Sequence, residues 1–456
     1  MQEITFVSGG VTAPRGFTAN GVLCGIKKGR TAPDLALIFS EKRCTATAVY
    51  TQNRVQAACI ALTKAHLANG MAQAVVANSG NANACTGEQG AENARRMAAA
   101  TANALDIPVQ EVAVCSTGVI GQQLPVEKIE SHMQQLISGL SKENHVRARE
   151  AIMTTDTRYK ECAVQFLLSG KPVTIGAMCK GSGMIHINMG TMLAFVTTDC
   201  AISRAMLDKA LRESVEATYN CVSIDGDTST NDTLLLFANG MAGNTEINCE
   251  GADYDAFLFA LNTLNTIMAK KIAADGEGAS RLVACTVSGA QNVKSARALA
   301  KAVISSNLVK AAMFGSDANW GRVLCALGYS GIPFVSETAS VAFASEQDDE
   351  MRGNVTQDDE AAAREKNCYT EKQRERVAQS ATCERHCNVE NATCATRVVV
   401  FENGVPLDFD EALAKKILSS SAVHILVSLQ DGNASGTAWG CDLTYDYVKI
   451  NGDYRT

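Results

Sequence analysis

The stretch MLAFVTTD at 192–199, with AISRAMLDKALRESVEATYN behind it, limits the fold more than any other part of the chain. MLAFV is short, apolar and bounded by polar residues, the pattern of a strand buried on both faces. In the segment that follows, Ile202, Met206, Leu207, Ala210, Leu211 and Val215 recur at helical spacing, which predicts an amphipathic helix. The same unit occurs upstream, where AQAVVANSGNANACTG reads as a buried strand entering a Gly/Asn-rich loop and GAENARRMAAATANAL has the alanine-rich character of a helix. EVAVCSTGVIG delivers another strand to a tight loop holding Thr117 and Gly118. A second long helix, YDAFLFALNTLNTIMAKKIAAD, ends in DGEGAS, where Gly276 and Gly278 flank Glu277. Strand pairs and helix pairs without a regular βαβ rhythm predict an α+β or layered αββα architecture.

At 456 residues the chain exceeds one compact core. The restart at AQNVKSARALAKAVISS places a boundary near residue 286, giving a larger domain over 1–285 and a smaller α+β domain over 286–456. Within the second lies a charged, aliphatic-poor segment at about 345–396, read as a surface insertion. It carries Cys368, Cys383, His386, Cys387 and Cys394, whose spacing matches no standard zinc pattern, so no metal is expected. Most of the 17 cysteines stand instead in apolar contexts such as VAVCSTG and LVACTV, where a reduced thiol behaves as a small hydrophobe.

A net charge of -7 offers no footprint for nucleic acid, and no apolar stretch approaches the ~18 residues that span a bilayer. Neither nucleic acid nor membrane is expected as a partner; small polar or zwitterionic molecules fit better. The start, MQEITFVSGG, lacks a basic and apolar leader, which predicts a cytoplasmic protein. GxxxxGK[ST], HExxH and GxSxG are all missing. DGDTSTND resembles a calcium loop, but has Thr230 at the sixth position where glycine belongs and Leu236 at the twelfth where glutamate belongs, so it reads as a turn or a substrate-side loop. His186 is given no role.

Thr191 sits directly ahead of the buried run, after Gly190. A threonine hydroxyl is a weak nucleophile until a base activates it, and a chain-terminal amine on the same residue is one such base. If the hydroxyl attacks the Gly190 carbonyl, the peptide becomes an ester whose hydrolysis frees that amine; glycine leaves the attack unobstructed. By pattern alone a turn residue is the commoner reading.

The wider context bears on that choice. CKGSGMIHINMGTMLAFVTTD, NSGNANACTGEQG, CSTGVIG, IMTTDT, DGDTSTND, DGEGASRL, GSDANWGRVLCALGYSG and CDLTYDYVKINGDYRT together resemble the ornithine acetyltransferase family, the bifunctional glutamate N-acetyltransferases of arginine biosynthesis. The likeness runs in order from GVTAPRGF to the last residue, interrupted only by the charged insertion. It implies self-cleavage between Gly190 and Thr191, with Gly190 standing where the family usually has alanine. Thr191 would then be the catalytic N-terminal nucleophile, with Thr117 and Gly118 as the oxyanion-hole pair. Thr154, Lys180, Thr191, Glu277, Asn451 and Thr456 match positions that bind the amino-acid substrate. Lys180 suits a carboxylate, Glu277 an ammonium, and Asn451 either.

The resemblance further implies an N-terminal-nucleophile-like αββα domain and an assembly of two α and two β chains. Its reaction moves an acetyl group from N2-acetyl-L-ornithine to L-glutamate with no cofactor. Acetyl-CoA as a second donor is left open. The nearest rival is an aminopeptidase or amidase of similar fold, in which water takes the acyl group. A metal- or thiol-binding module centred on Cys383, Cys387 and Cys394 is the rival from another class.

Overall fold

The structure, a computed structural model, describes residues 3–27, 29–186, 192–345 and 396–452. Gly190, Thr191, Thr456 and the four cysteines of the charged insertion lie outside them.

A nine-stranded sheet forms the larger part. Its strands run in the order Thr5–Phe6, Glu161–Leu168, Lys171–Lys180, Leu193–Thr198, Thr233–Ala238, Leu35–Tyr50, Met71–Asn81 and Val112–Val119, with Phe17–Val22 also paired to Leu35–Tyr50. The 16-residue strand Leu35–Tyr50 turns the sheet over on itself. Its register with Met71–Asn81 breaks between Phe39 and Cys44, and its two ends face different cores. Leu35 and Leu37 pack with the helices Ala58–His66, Gly87–Leu105 and Val126–Ser138, whereas Val49 packs with Arg204–Ala217 and Ala252–Ala274.

A third core fills the space between the two halves. Leu193, Phe195, Leu235 and Phe237 from one half share it with Ala36, Ile38, Val75, Ala77, Ala113 and Cys115 from the other. Alternate residues of the same strands, Ala194, Val196, Leu234 and Leu236, point outward to the long helices. Both faces of each half are therefore buried, and a near-continuous apolar run such as MLAFV is what such a strand requires. The outcome is helix, sheet, sheet, helix: the predicted αββα layering.

The predicted helix after this strand is Arg204–Ala217, capped by the Ser203 hydroxyl accepting from the Met206 N–H. It buries Leu207, Ala210, Leu211 and Val215 on one face. A separate six-stranded sheet follows in the order Val405–Pro406, Arg397–Glu402, Ser340–Ser345, Ala422–Ser428, Leu282–Ala290 and Ala434–Cys441. Its first strand in the chain begins at Leu282, and its apolar face is continuous with the core under Ala252–Ala274. Among the described residues ten cysteines are buried, Cys115, Cys179 and Cys285 included, and they are free thiols within these cores. Among the described residues no helix is long and apolar enough to cross a membrane.

Candidate active site

The two halves of the large sheet bring the motif residues to one end. Leu193, two residues past Thr191, pairs with Lys180 on one side and Thr233 on the other, and the Met192 carbonyl accepts from the Thr233 N–H at 2.9 Å. Across the sandwich, Val112–Val119 carries Thr117 and Gly118 near its end. Asn231 ties the two ends together, its Nδ2 donating to the Ala82 carbonyl at 2.6 Å and the Ser116 carbonyl at 2.7 Å. Thr117, Lys180, Gly183, Met192, Leu193 and Asp232 are among the residues that line the resulting small pocket.

Gly118 could be no other residue without moving the backbone. Its φ is +133°, and a Cβ there would lie 2.3 Å from the Gly80 carbonyl carbon and 2.5 Å from the Asn81 nitrogen. The adjacent strand thus approaches as closely as backbone atoms allow, next to the candidate oxyanion donor. Ser116 Oγ donates to Asn78 Oδ1 at 2.6 Å, and Asn78 Nδ2 to the Asn81 carbonyl at 2.9 Å, fixing the neighbouring loop. Lys27 covers it: its chain runs against Gly80, and Nζ donates to the Met153 carbonyl at 2.7 Å. Burial lowers the Lys27 ammonium to about 8 against the opposing pull of Asp34 and Asp156.

On the far side of the pocket Lys180 and Glu277 are 8% and 7% exposed, so neither belongs to an ordinary surface pair. Lys180 Nζ lies 4.0 Å from Asp156 Oδ2. The Thr154 N–H donates to the same oxygen at 3.0 Å, and the Gly181 N–H to Asp156 Oδ1 at 2.7 Å. Lys160 Nζ donates to Asp156 Oδ1 at 2.7 Å and to Asp275 Oδ2 at 2.5 Å. Asp275 also accepts from the Thr157 and Arg158 N–H groups at 3.1 and 3.2 Å, while its carbonyl accepts from Ser182 Oγ at 2.6 Å. The Glu277 N–H donates to the Ser182 carbonyl at 2.8 Å, and Asn451 Nδ2 donates to Glu277 Oε2 at 2.8 Å. Burial works to raise the Asp156 carboxyl, but Lys160 and Lys180 outweigh it and hold the group below the usual carboxylate range.

Of the residues singled out in the sequence, Thr117, Gly118, Thr154, Lys180, Glu277 and Asn451 therefore meet at one end of the fold. Asn231, Asp156, Lys160 and Asp275 were not singled out. The first two lie inside the quoted DGDTSTND and IMTTDT, and Asp275 opens DGEGASRL. DGDTSTND forms the end of the strand Ser223–Thr228 and the loop after it; Asp225 accepts from the Met184 and Ile185 N–H groups at 2.5 and 2.8 Å. His186 Nδ1 meets Ser223 Oγ at 2.9 Å, and burial, with Lys301 nearby, lowers its pKa to about 4, so the ring is neutral at pH 7. Among the described residues no three His, Cys, Asp or Glu side chains gather so as to hold a metal ion.

The fold and this end of it define a layered αββα protein whose Thr-Gly corner faces a buried lysine and glutamate across the start of a central strand. The ArgJ family model matches residues 18–390 and 376–456. The chain is 44% identical over 450 residues to the arginine biosynthesis bifunctional protein ArgJ of Caldanaerobacter subterraneus subsp. tengcongensis, covering 99% of both chains. It is 46% identical over 440 residues to arginine biosynthesis bifunctional protein ArgJ 1 of Clostridium acetobutylicum, covering 96% of both. A crystal structure of an ornithine acetyltransferase complexed with ornithine, from Mycobacterium tuberculosis, is 36% identical with a TM-score of 0.38, covering 42% of this chain and 100% of that one. The chain belongs to the ArgJ family.

Proposed function

We propose that this chain is a glutamate N-acetyltransferase of arginine biosynthesis, which moves the acetyl group of N2-acetyl-L-ornithine to L-glutamate through an acetyl ester on Thr191. Family membership supports the reaction class. The observation that supports the site is the shared pocket of Thr117, Lys180, Met192 and Leu193, which sets a hydroxyl and an ammonium beside the two residues that follow Thr191 in the sequence.

Thr191, freed by cleavage after Gly190, attacks the acetyl carbonyl while its own α-amine takes the hydroxyl proton. The Thr117 hydroxyl and the Gly118 N–H donate to the tetrahedral oxyanion, which is where fixed donors lower an acyl-transfer barrier most. Collapse breaks the C–N bond; the proton passes to the α-nitrogen of ornithine, which leaves. Glutamate then brings its own amine to the ester, takes the acetyl group, and returns Oγ its proton. Lys180 pairs with a substrate carboxylate and Glu277, steadied by Asn451, with an ammonium. Thr154 and Thr456 complete the binding set.

No cofactor enters this scheme. Acetyl-CoA is a candidate second donor, the likeness to bifunctional proteins being the reason to test it. Two α and two β chains form the assembly, in the cytoplasm. The test is product analysis with acetylornithine and glutamate, and separately with acetyl-CoA and glutamate. Acetylglutamate in the first arm supports the reading, and free acetate formed at the same rate with or without glutamate would replace it with a hydrolase.

A further inference from the structure

Thr154, Lys180 and Glu277 stand on three separate segments; the first two are bound to a carboxylate of one buried ionic cluster, and the turn of Glu277 is tied through Ser182 to the backbone of Asp275, a member of that cluster. Asp156, Lys160 and Asp275 have side chains 0%, 1% and 2% exposed. The loop at 154–158 is bound through its N–H groups to both carboxylates, at Thr154, Thr157 and Arg158. The end of the strand Lys171–Lys180 is bound through the Gly181 N–H and the Lys180 ammonium to Asp156. The turn carrying Glu277 is bound through Ser182, which accepts from the Glu277 N–H and donates to the Asp275 carbonyl. Two carboxylates face two ammonium groups, so the cluster is neutral only while both lysines are charged.

Such an arrangement exceeds what packing the loop would need. Apolar side chains of similar volume stabilise a buried position as well or better, whereas an ion cluster fixes geometry and charge. We propose that Asp156, braced by Lys160 and Asp275, is the positioning residue that sets the Lys180 ammonium and the Thr154 loop for binding the substrate carboxylate. It acts through Lys180 and touches no substrate itself. The inference rests on the reading of Lys180 as a carboxylate-binding group.

A double-mutant cycle tests it, with ornithine binding to the full processed protein measured by calorimetry and steady-state transfer kinetics measured alongside. Asp156→Asn is expected to raise the ornithine Kd and the KM of both substrates about tenfold while kcat changes less than about threefold, because ground-state and transition-state binding are lost together. In a Lys180→Met background the same substitution is expected to change Kd less than about twofold, the non-additivity of residues that act as a unit. If Asp156→Asn does not fold, Asp156→Glu, which keeps the buried charge but displaces it, takes its place in the cycle. Additive effects in the two backgrounds, or an unchanged Kd in the single variant, would overturn the proposal while leaving transfer by the unaltered protein intact. An unaltered protein that neither binds ornithine nor transfers acetyl would overturn the functional reading, and this inference with it.

Discussion

Alanine at Gly118 is expected to damage both the fold and the transfer step, by amounts that follow from the geometry. At φ +133° an L-residue is held in a conformation that costs roughly 1–3 kcal/mol. The new methyl would also sit 2.3 Å from the Gly80 carbonyl carbon and 2.5 Å from the Asn81 nitrogen, atoms that cannot rotate away. Parting the two strands resembles overpacking a core, at about 1–3 kcal/mol more. The parting also displaces the Gly118 N–H, and losing one oxyanion donor lowers kcat on the order of 10²-fold or more. Gly121 is the control: its φ is +81°, yet nothing lies within 4 Å of where its Cβ would be. Gly121→Ala should therefore show only the conformational cost and keep its kcat. Thermal unfolding and steady-state kinetics on the two variants read both effects. A Gly118→Ala protein with kcat within about threefold of Gly121→Ala would refute the reasoning, since the donor would not depend on the strand contact.

Three further outcomes follow from the site. Thr191→Ala is expected to remain one chain on denaturing gels, while the unaltered protein gives a fragment whose first residue, by terminal sequencing, is Thr191; an intact unaltered protein with full activity would remove the nucleophile from the scheme. Thr117→Ala should lose on the order of 10²-fold in kcat with little change in KM, and a variant defective only in KM would reassign the hydroxyl to binding. The Lys27 ammonium, lowered by burial to about 8 from 10.5, binds a proton less readily folded than unfolded. Between pH 8 and 10.5 the unfolded chain holds that proton and the folded one does not, so this group adds stability as pH rises through the window and withdraws it as pH falls. Unfolding curves of Lys27→Met should show a shallower rise over that range than the unaltered protein, and a pH-independent difference would contradict the assignment.

Much of the fold was readable because its signals are local. MLAFV had no polar alternation, and the structure buries both faces of that strand between a helix layer and the other half of the sheet. Leu207, Ala210, Leu211 and Val215 have the period of one helix face, and that face is the buried one. The turning of Leu35–Tyr50 was not readable, since it depends on which neighbour each end finds rather than on the strand's own composition. The site divides the same way. Glu277 stood out between two glycines, and Lys180, Thr117 and Asn451 by motif resemblance; the structure brings all four together. Asp156 and Asp275 escaped notice because their meaning lies in contacts across more than a hundred residues of chain, such as Lys160 with Asp275. An aspartate followed four residues later by a lysine, outside any helix, was the one local hint of that cluster.

The acetyl ester on Thr191 is the central claim, and mass spectrometry of the processed protein after incubation with acetylornithine alone tests it most directly. One added acetyl group on the fragment beginning at Thr191 is predicted. Glutamate should remove it within the turnover time and water far more slowly, because groups such as Lys180 hold the glutamate amine near the ester and do not position water. A fragment that stays unmodified in a preparation with full transferase activity, or one discharged by water as fast as by saturating glutamate, would contradict the account.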